Sequence, residues 1–324
     1  LKKQNGKEIY NPGVWSGKAY NFFGDYLTEK YKCRILKLPV NTGLSCPNRD
    51  GTISKGGCIF CSEEGSASPS AHQFLSMHEQ MNNAIKAFKR SDKETRYIAY
   101  LQAFSNTYAP VERLKEIYST AVSFPDIAGL MIGTRPDCIN RDILELIKSY
   151  DRDNFELWLE VGMQSSHDKS LNLLNRGHDN RCTIDAVNLA DQFGIKICLH
   201  VILGIPGETW QDMMETAETI SRLPVSGVKL HHLHIIKGTP LEKIAVEKNY
   251  RMMGFKNYIS TACDFIERLR PDILIHRLAG DRTEDTLIEP KWGMQKGTVL
   301  QGIEDQFNKR GTWQGFLFQE EKKG

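Results

Sequence analysis

Three cysteines are spaced so that one loop can hold one metal centre. The string CPNRDGTISKGGCIFC, residues 46–61, sets Cys46, Cys58 and Cys61 in a Cys-x11-Cys-x2-Cys pattern. Pro47, Asn48, Asp50, Gly51, Gly56 and Gly57 are loop formers. A loop can turn three thiolates inward on one centre, where a helix or strand would splay them. The glycines also let backbone amides approach the sulfurs, and hydrogen bonds there tune redox potential. Electron-carrying iron–sulfur sites usually use four Cys ligands. A three-ligand site leaves one metal position open for substrate, as catalytic zinc sites also do. A structural zinc ion is the competing reading, with His72 or His78 as fourth ligand, although the step from Cys61 to His72 gives no ordinary finger spacing. The other cysteines, Cys33, Cys138, Cys182, Cys198 and Cys263, are scattered and read as small buried hydrophobes, Cys198 above all, since it lies inside an apolar run.

The elements that must carry this loop alternate. Short β-rich apolar runs fall at 34–40, 96–104, 127–133, 155–162, 195–204 and 227–236, and a further run spans 272–280. Amphipathic stretches lie at 78–90, 111–123, 141–150, 181–193, 208–222 and 256–269. Asn140 is placed to cap the stretch from 141, Gly207-Glu208-Thr209 opens the stretch 208–222, and Gly194 stands where the 181–193 helix should stop. Strand–helix alternation with near-continuous apolar strands predicts an α/β fold with a parallel sheet covered by helices. An open partial barrel and a doubly wound sheet both fit six such units. Residues 1–33, rich in polar and aromatic side chains, read as an extension packed onto something larger, and the stretch from about 290 reads as a second extension of weak periodicity. The cysteine loop directly follows the first strand.

Composition sets limits. The chain has 324 residues, 40% hydrophobic and 25% charged, with a net charge of +2, the make-up of an ordinary globular protein. A core of this size folds without a metal staple, so a metal here is expected to serve chemistry. No apolar run reaches the ~20 residues that cross a bilayer, no apolar stretch follows the first lysines as in a signal peptide, and clustered rather than paired cysteines fit a reducing compartment. The expectation is a cytoplasmic protein with no membrane partner. Residues 1–40 carry eight Lys and Arg against three Asp and Glu. A solvated basic extension and a phosphate-facing arm for RNA both fit that excess.

The cysteine string, with CPNRDGT and GGCIFC, resembles the YhcC/YtqA family of radical S-adenosylmethionine (SAM) proteins, related to the radical SAM domain of the Elongator catalytic subunit. The resemblance runs over about residues 15–318. It implies a partial (β/α)6 radical SAM barrel over residues 34–280, flanked by an N-terminal extension (1–33) and a C-terminal extension (281–324). It implies a 4Fe-4S cluster on Cys46, Cys58 and Cys61 whose open iron takes the amino and carboxylate groups of SAM. One electron from a reductant such as flavodoxin or ferredoxin would cleave SAM to methionine and a 5′-deoxyadenosyl radical, which abstracts hydrogen from a substrate.

Further segments sit where strands end, the place open α/β sheets bind ligands. In YLQAFSNTYAP (100–110), Gln102, Ser105 and Asn106 occupy the position of the family's methionyl-amine segment, although its glycine pair and Glu are missing. LEVGMQS (159–165) resembles an E-x-G-x-Q element, with Glu160 and Gln164 meeting the SAM ribose; positions 160, 162 and 164 share a strand face. RGHD (176–179) looks like the segment whose Arg, here Arg176, pairs with the SAM carboxylate. ILGIPGET (202–209) matches the turn that receives adenine, implying Gly204 and Ile205. In KLHHLHIIKGTPL (229–241), His232 and His234 point one way and His231 the other, so the pair would flank adenine or substrate. GTRPD (133–137) and HRLAGDR (276–282) read equally as structural turns or as site loops.

The chain shows no nucleophile elbow, Walker loop or HExxH site. No second cysteine triplet is present, which argues against methylthiolation or sulfur insertion, and no acetyltransferase module follows the barrel, so a full Elongator-type reaction is not expected. The relation to the Elongator domain suggests tRNA as substrate, at a wobble-uridine side chain. A small metabolite or peptide is the alternative within radical SAM chemistry, and a non-catalytic, metal-dependent RNA-binding protein is the alternative outside it.

Overall fold

A computed structural model describes residues 2–4, 7–9, 15–65, 71, 74–88, 94–280, 285–294 and 296–319. Two short strands, β1 (Lys2–Gln4) and β2 (Lys7–Ile9), pair antiparallel at the start. The main sheet is built from β3 (Arg34–Val40), β4 (Thr95–Leu101), β5 (Ile127–Thr134), β6 (Glu156–Gln164), β7 (Lys196–Leu203), β8 (Gly227–His232) and, after β9 (Ile235–Ile236), β10 (Leu274–Arg277). Its order is β10-β8-β7-β6-β5-β4-β3, and every pairing is parallel. It curls into a partial barrel, the arrangement the resemblance implied. The run 227–236 is not one strand, as its composition suggested. It breaks after His232: Leu233 N still donates to Leu203 O, and beyond it Ile235–Ile236 pairs antiparallel with β11 (Leu287–Glu289) instead.

The outer face is covered by α2 (Met77–Ala87), α3 (Val111–Val122), α4 (Arg141–Lys148), α5 (Asp168–Leu173), α6 (Asn180–Gln192), α7 (Trp210–Arg222), α8 (Pro240–Glu247), α9 (Phe255–Ile266) and α10 (Lys296–Arg310), with α1 (Phe23–Tyr31) ahead of the sheet. Local chemistry starts them. Asn140 Oδ1 accepts from Ile143 N, Asp179 Oδ1 from Cys182 N, and Thr209 and Asp212 form a reciprocal capping box on α7. Gly194, at φ +63°, takes the left-handed turn that stops α6. Leu130, Leu159 and Leu199 point outward into the main core beneath these helices.

The α5, α8 and α10 helices were not foreseen. The tail helix α10 has a 3.6-residue pattern after all: Val299, Ile303 and Phe307 are its buried stripe. The two extensions meet each other. Gln314 N donates to Ala19 O, and Asn21 N donates to Gln314 Oε1. Ile275 N on the edge strand β10 donates to Asn21 O, so the N-terminal segment covers that edge.

The inner face is closed at one end by α1. Phe23 stacks on His276 at 3.8 Å and meets Trp158 edge-on at 5.3 Å. Below them, buried Glu156 accepts from Lys30 at 2.5 Å, Tyr26 at 2.9 Å, Trp158 Nε1 at 2.7 Å and Lys196 at 3.2 Å. Among the described residues no helix is long and apolar enough to cross a membrane.

Candidate active site at the barrel mouth

The opposite end of the barrel opens on a cavity of about 930 Å³ at the C-terminal ends of the strands. Cys46, Cys58 and Cys61 all line it. Their loop is held by its own backbone: Arg49 N donates to Cys46 O, Gly57 N to Asn48 O and Cys61 N to Cys58 O. Arg49 ties the far side, its guanidinium donating to the carbonyls of Cys61, Ser62 and Glu63. The three thiols feel one another. Burial raises the Cys61 thiol above its usual pKa, Cys58 and Cys46 raise it further, and the Arg49 guanidinium opposes them.

Below the loop lies a polar layer that sequence reasoning found only in part. Glu160, fully buried, receives Lys229 Nζ at 2.5 Å, Tyr100 OH at 2.6 Å and His200 Nε2 at 2.8 Å on its Oε2. Burial alone would push its carboxyl up, but the Lys229 ammonium and the His200 imidazole hold it well below the usual range. Burial and Lys229 in turn push His200 down to about 4, so the imidazole is neutral at pH 7. Lys229, Tyr100 and His200 carried one faint signal: a polar side chain inside an otherwise apolar strand run.

Of the residues expected at the site, Gln102, Ser105, Glu160, Gln164, Arg176, His232 and His234 line the cavity with the cysteines. His232 and His234 do share a side, their Nε2 atoms 2.6 Å apart, and His232 lies over Trp292 at 4.5 Å. Gln164 reaches the mouth through a break in register: Gly162 pairs with His200, but Gln164 pairs with Val201 and takes φ +70°. Arg176, expected at the SAM carboxylate, donates from Nη1 to Cys58 Sγ at 3.1 Å and from Nη2 to Gly162 O at 2.7 Å.

Three residues stand outside the cavity lining. Asn106 is fully buried and staples the strand ends, its Nδ2 donating to the carbonyls of Leu101, Ala103 and Gly133. Gly204 O accepts from Tyr250 OH at 2.6 Å, and Ile205 packs in a separate apolar cluster with Leu174 and Leu241. His78 sits on α2 with Nε2 near Thr120 O; His72, Asp281 and Arg282 lie outside the described residues.

With three thiols converging on one cavity at the mouth of a partial barrel, comparison with known proteins decides the family. Residues 42–220 match the Radical SAM superfamily, and residues 225–309 match the Radical_SAM C-terminal domain. The chain belongs to the radical SAM superfamily. It is 36% identical over 311 residues to the uncharacterized protein YtqA of Bacillus subtilis, covering 95% of this chain and 96% of that one. It is 38% identical over 295 residues to protein YhcC of Escherichia coli, covering 91% and 94%. Among solved structures, the archaeal Methanocaldococcus infernus Elp3 shares the fold with a TM-score of 0.61 at 15% identity, covering 87% of this chain and 64% of that one.

Radical SAM enzymes use a 4Fe-4S cluster and SAM, and the residues present fit both. Cys46, Cys58 and Cys61 offer three thiol ligands from one loop to one cavity, the donor set of a cluster with one iron left open to SAM. Glu160, Cys198 and His200 gather within 4.8 Å, but the ammonium of Lys229 already occupies that carboxylate. Two buried guanidinium N–H groups of cavity-lining residues, Arg135 Nη1 and Arg176 Nε, have no protein partner, as expected where a polar ligand completes the site.

Proposed function

We propose that Cys46, Cys58 and Cys61 ligate the cluster of this radical SAM enzyme, and that its substrate is tRNA, at a wobble-uridine side chain. The observation that carries the ligand set is the convergence of these three thiols, and no other cysteine, on the cavity among the described residues. With the cluster and SAM bound, the site supplies a 5′-deoxyadenosyl radical that takes a hydrogen atom from the substrate. The chain's own residues do the rest. The cysteine loop orients the thiolates. Arg135, fixed on Asp137 through Nε at 2.8 Å and Nη2 at 2.6 Å, keeps Nη1 for the SAM carboxylate. Gln102, Ser105 and Gln164 offer polar groups to SAM, and His232 and His234 flank its adenine or the substrate. The α1 plug closes the far end of the barrel and keeps water from a reactive carbon radical. The electron comes from a one-electron reductant, flavodoxin or ferredoxin, and three neighbouring free thiols before loading call for a reducing, cytoplasmic compartment.

The tRNA reading leans on the relation to the Elongator domain. The basic N-terminal segment supports it less than its charge suggested, because Lys18 pairs with Asp25 and Lys30 with Glu156. A specific observation favours a second reading, a small polar metabolite: the cavity floor is a layer of buried Tyr100 and Lys229 with half-buried His200 rather than an open surface.

The test is anaerobic SAM cleavage. The iron- and sulfide-reconstituted chain, reduced with dithionite, is assayed for 5′-deoxyadenosine with and without bulk tRNA from a modification-deficient strain. Production that rises with tRNA supports both parts. Production indifferent to tRNA moves the substrate to small molecules. A full cluster without any product points to a non-catalytic metal protein.

A further inference from the structure

We infer that Arg176 and Asn48 act on the cluster through the sulfur of Cys58, raising its reduction potential, as positioning residues rather than as contacts of SAM. The inference rests on the reading that Cys46, Cys58 and Cys61 hold the cluster. Cys58 is the buried one of the three, 6% exposed. Two N–H donors reach its sulfur: Arg176 Nη1 at 3.1 Å and Asn48 Nδ2 at 3.5 Å.

Both donors are fixed from behind. Arg176 is 5% exposed; its Nη2 donates to Gly162 O at 2.7 Å, and its own carbonyl accepts from Arg135 Nη2 at 2.5 Å. Asn48 is fully buried; its Nδ2 also donates to Asn175 O at 2.6 Å, and its Oδ1 accepts from Ser54 Oγ at 2.7 Å. Two glycines leave the space. A Cβ on Gly162 would lie 3.0 Å from Arg176 Nη2, and a Cβ on Gly177, whose φ is +69°, would lie 2.7 Å from Asn48 Oδ1. Sequence-remote segments, residues 48–58, 162 and 175–177, are therefore shaped around one sulfur atom.

The consequence is electrostatic. Reduction adds one electron, shared by the cluster's irons and sulfurs, and N–H donors with a fixed guanidinium charge stabilise the reduced form more than the oxidised one. Burial keeps that difference from being screened. Hydrogen bonds to the sulfurs and local charge are the established levers on such potentials. With Nη1 on a sulfur and Nη2 on a carbonyl, Arg176 keeps only Nε unpartnered and no longer presents a two-pronged fork to a carboxylate. Only one electron moves, from the external reductant; no bond forms or breaks at Arg176 or Asn48.

The test is potentiometry on the reconstituted full chain without SAM, following the reduced cluster by electron paramagnetic resonance. Wild type is compared with Arg176→Gln, Arg176→Lys and Asn48→Asp, with iron content and SAM affinity measured on each. At the wild-type midpoint, Arg176→Gln should lower the reduced-to-oxidised ratio about tenfold, a shift of 59 mV for one electron. Arg176→Lys should recover part of it, Asn48→Asp should move in the same direction, and SAM affinity should change less than threefold. A loaded Arg176→Gln with the wild-type midpoint and SAM affinity reduced tenfold or more overturns the inference and makes Arg176 a SAM clamp. Loss of the cluster in all three variants also overturns it, since a tuning donor is not needed for assembly. If wild type itself takes up no iron, the ligand reading falls first, and the inference with it.

Discussion

Lys229 Nζ lies 2.5 Å from Glu160 Oε2 in the middle of the barrel, with side chains only 5% and 0% exposed. Each ion loses its hydration there, so the pair stabilises the fold by less than its Coulomb attraction, whereas losing one partner strands the other. Glu160→Gln and Lys229→Met should each cost about 3–5 kcal/mol of unfolding free energy. The double variant should recover part of that loss, because neither charge is then buried alone. Urea unfolding of the four proteins checks this; strict additivity would mean that the two groups do not act as a pair.

Cys46→Ala, Cys58→Ala and Cys61→Ala should each abolish cluster assembly while leaving far-ultraviolet circular dichroism nearly unchanged. Cys138→Ala, Cys182→Ala and Cys263→Ala should keep wild-type iron, since none of them lines the cavity. Iron and sulfide analysis after anaerobic reconstitution decides it. A full iron complement in any of the first three would remove that residue from the ligand set.

Two glycines should separate stability from function. The close contacts of a Cβ at Gly162 would be side-chain ends, Gln164 Nε2 at 2.7 Å and Arg176 Nη2 at 3.0 Å, with the backbone Thr134 O at an ordinary 3.7 Å. Gly162→Ala should therefore cost about 1 kcal/mol or less yet weaken SAM binding at least tenfold by displacing Gln164. A Cβ at Gly129 would meet backbone, Glu156 O at 2.6 Å, which cannot swing aside. Gly129→Ala should cost about 3 kcal/mol or more. Thermal unfolding and SAM titration on both variants tell the two effects apart.

The buried imidazoles predict a pH dependence. Burial, with Lys229 or Arg277 nearby, pushes His200 and His232 down to about 4, and burial pushes His276 to about 3. In the unfolded chain they titrate near 6.5. Between these values the unfolded state binds more protons, so stability rises with pH across that window and is lost as pH falls from about 6.5 toward 4. Glu160, held below its usual range, adds to the loss only below about 4.5. The urea midpoint of the cluster-free chain should fall from pH 7 to pH 5, on the order of 1–2 kcal/mol for each histidine. His200→Gln keeps an N–H for Glu160 and takes up no proton, so its profile should be flatter. A wild-type profile flat over this range would show that these imidazoles are not excluded from protonation.

What the amino-acid sequence determined by itself is what neighbouring residues settle between them. Asn140, Asp179 and Thr209 start helices because their side chains reach N–H groups three residues on. The loop-forming residues between Cys46 and Cys61 hold a thiol loop because they bend the backbone locally. The alternation of apolar runs with amphipathic stretches is likewise local, and it led to the parallel sheet.

The tertiary structure alone decided which side chains face each other inside the barrel. In β6 the two faces alternate in the sequence, Glu156, Glu160 and Gln164 against Leu157, Leu159, Val161 and Met163, but nothing in that alternation says which side chains of the neighbouring strands meet Glu160. The layer of Tyr100, Glu160, His200 and Lys229 comes from four strands, and the direction of Arg176 depends on a register break at Gly162 and an absent Cβ. Those contacts follow from strand register and sheet curvature, which are set by the packing of the whole barrel and not by any one segment of the chain.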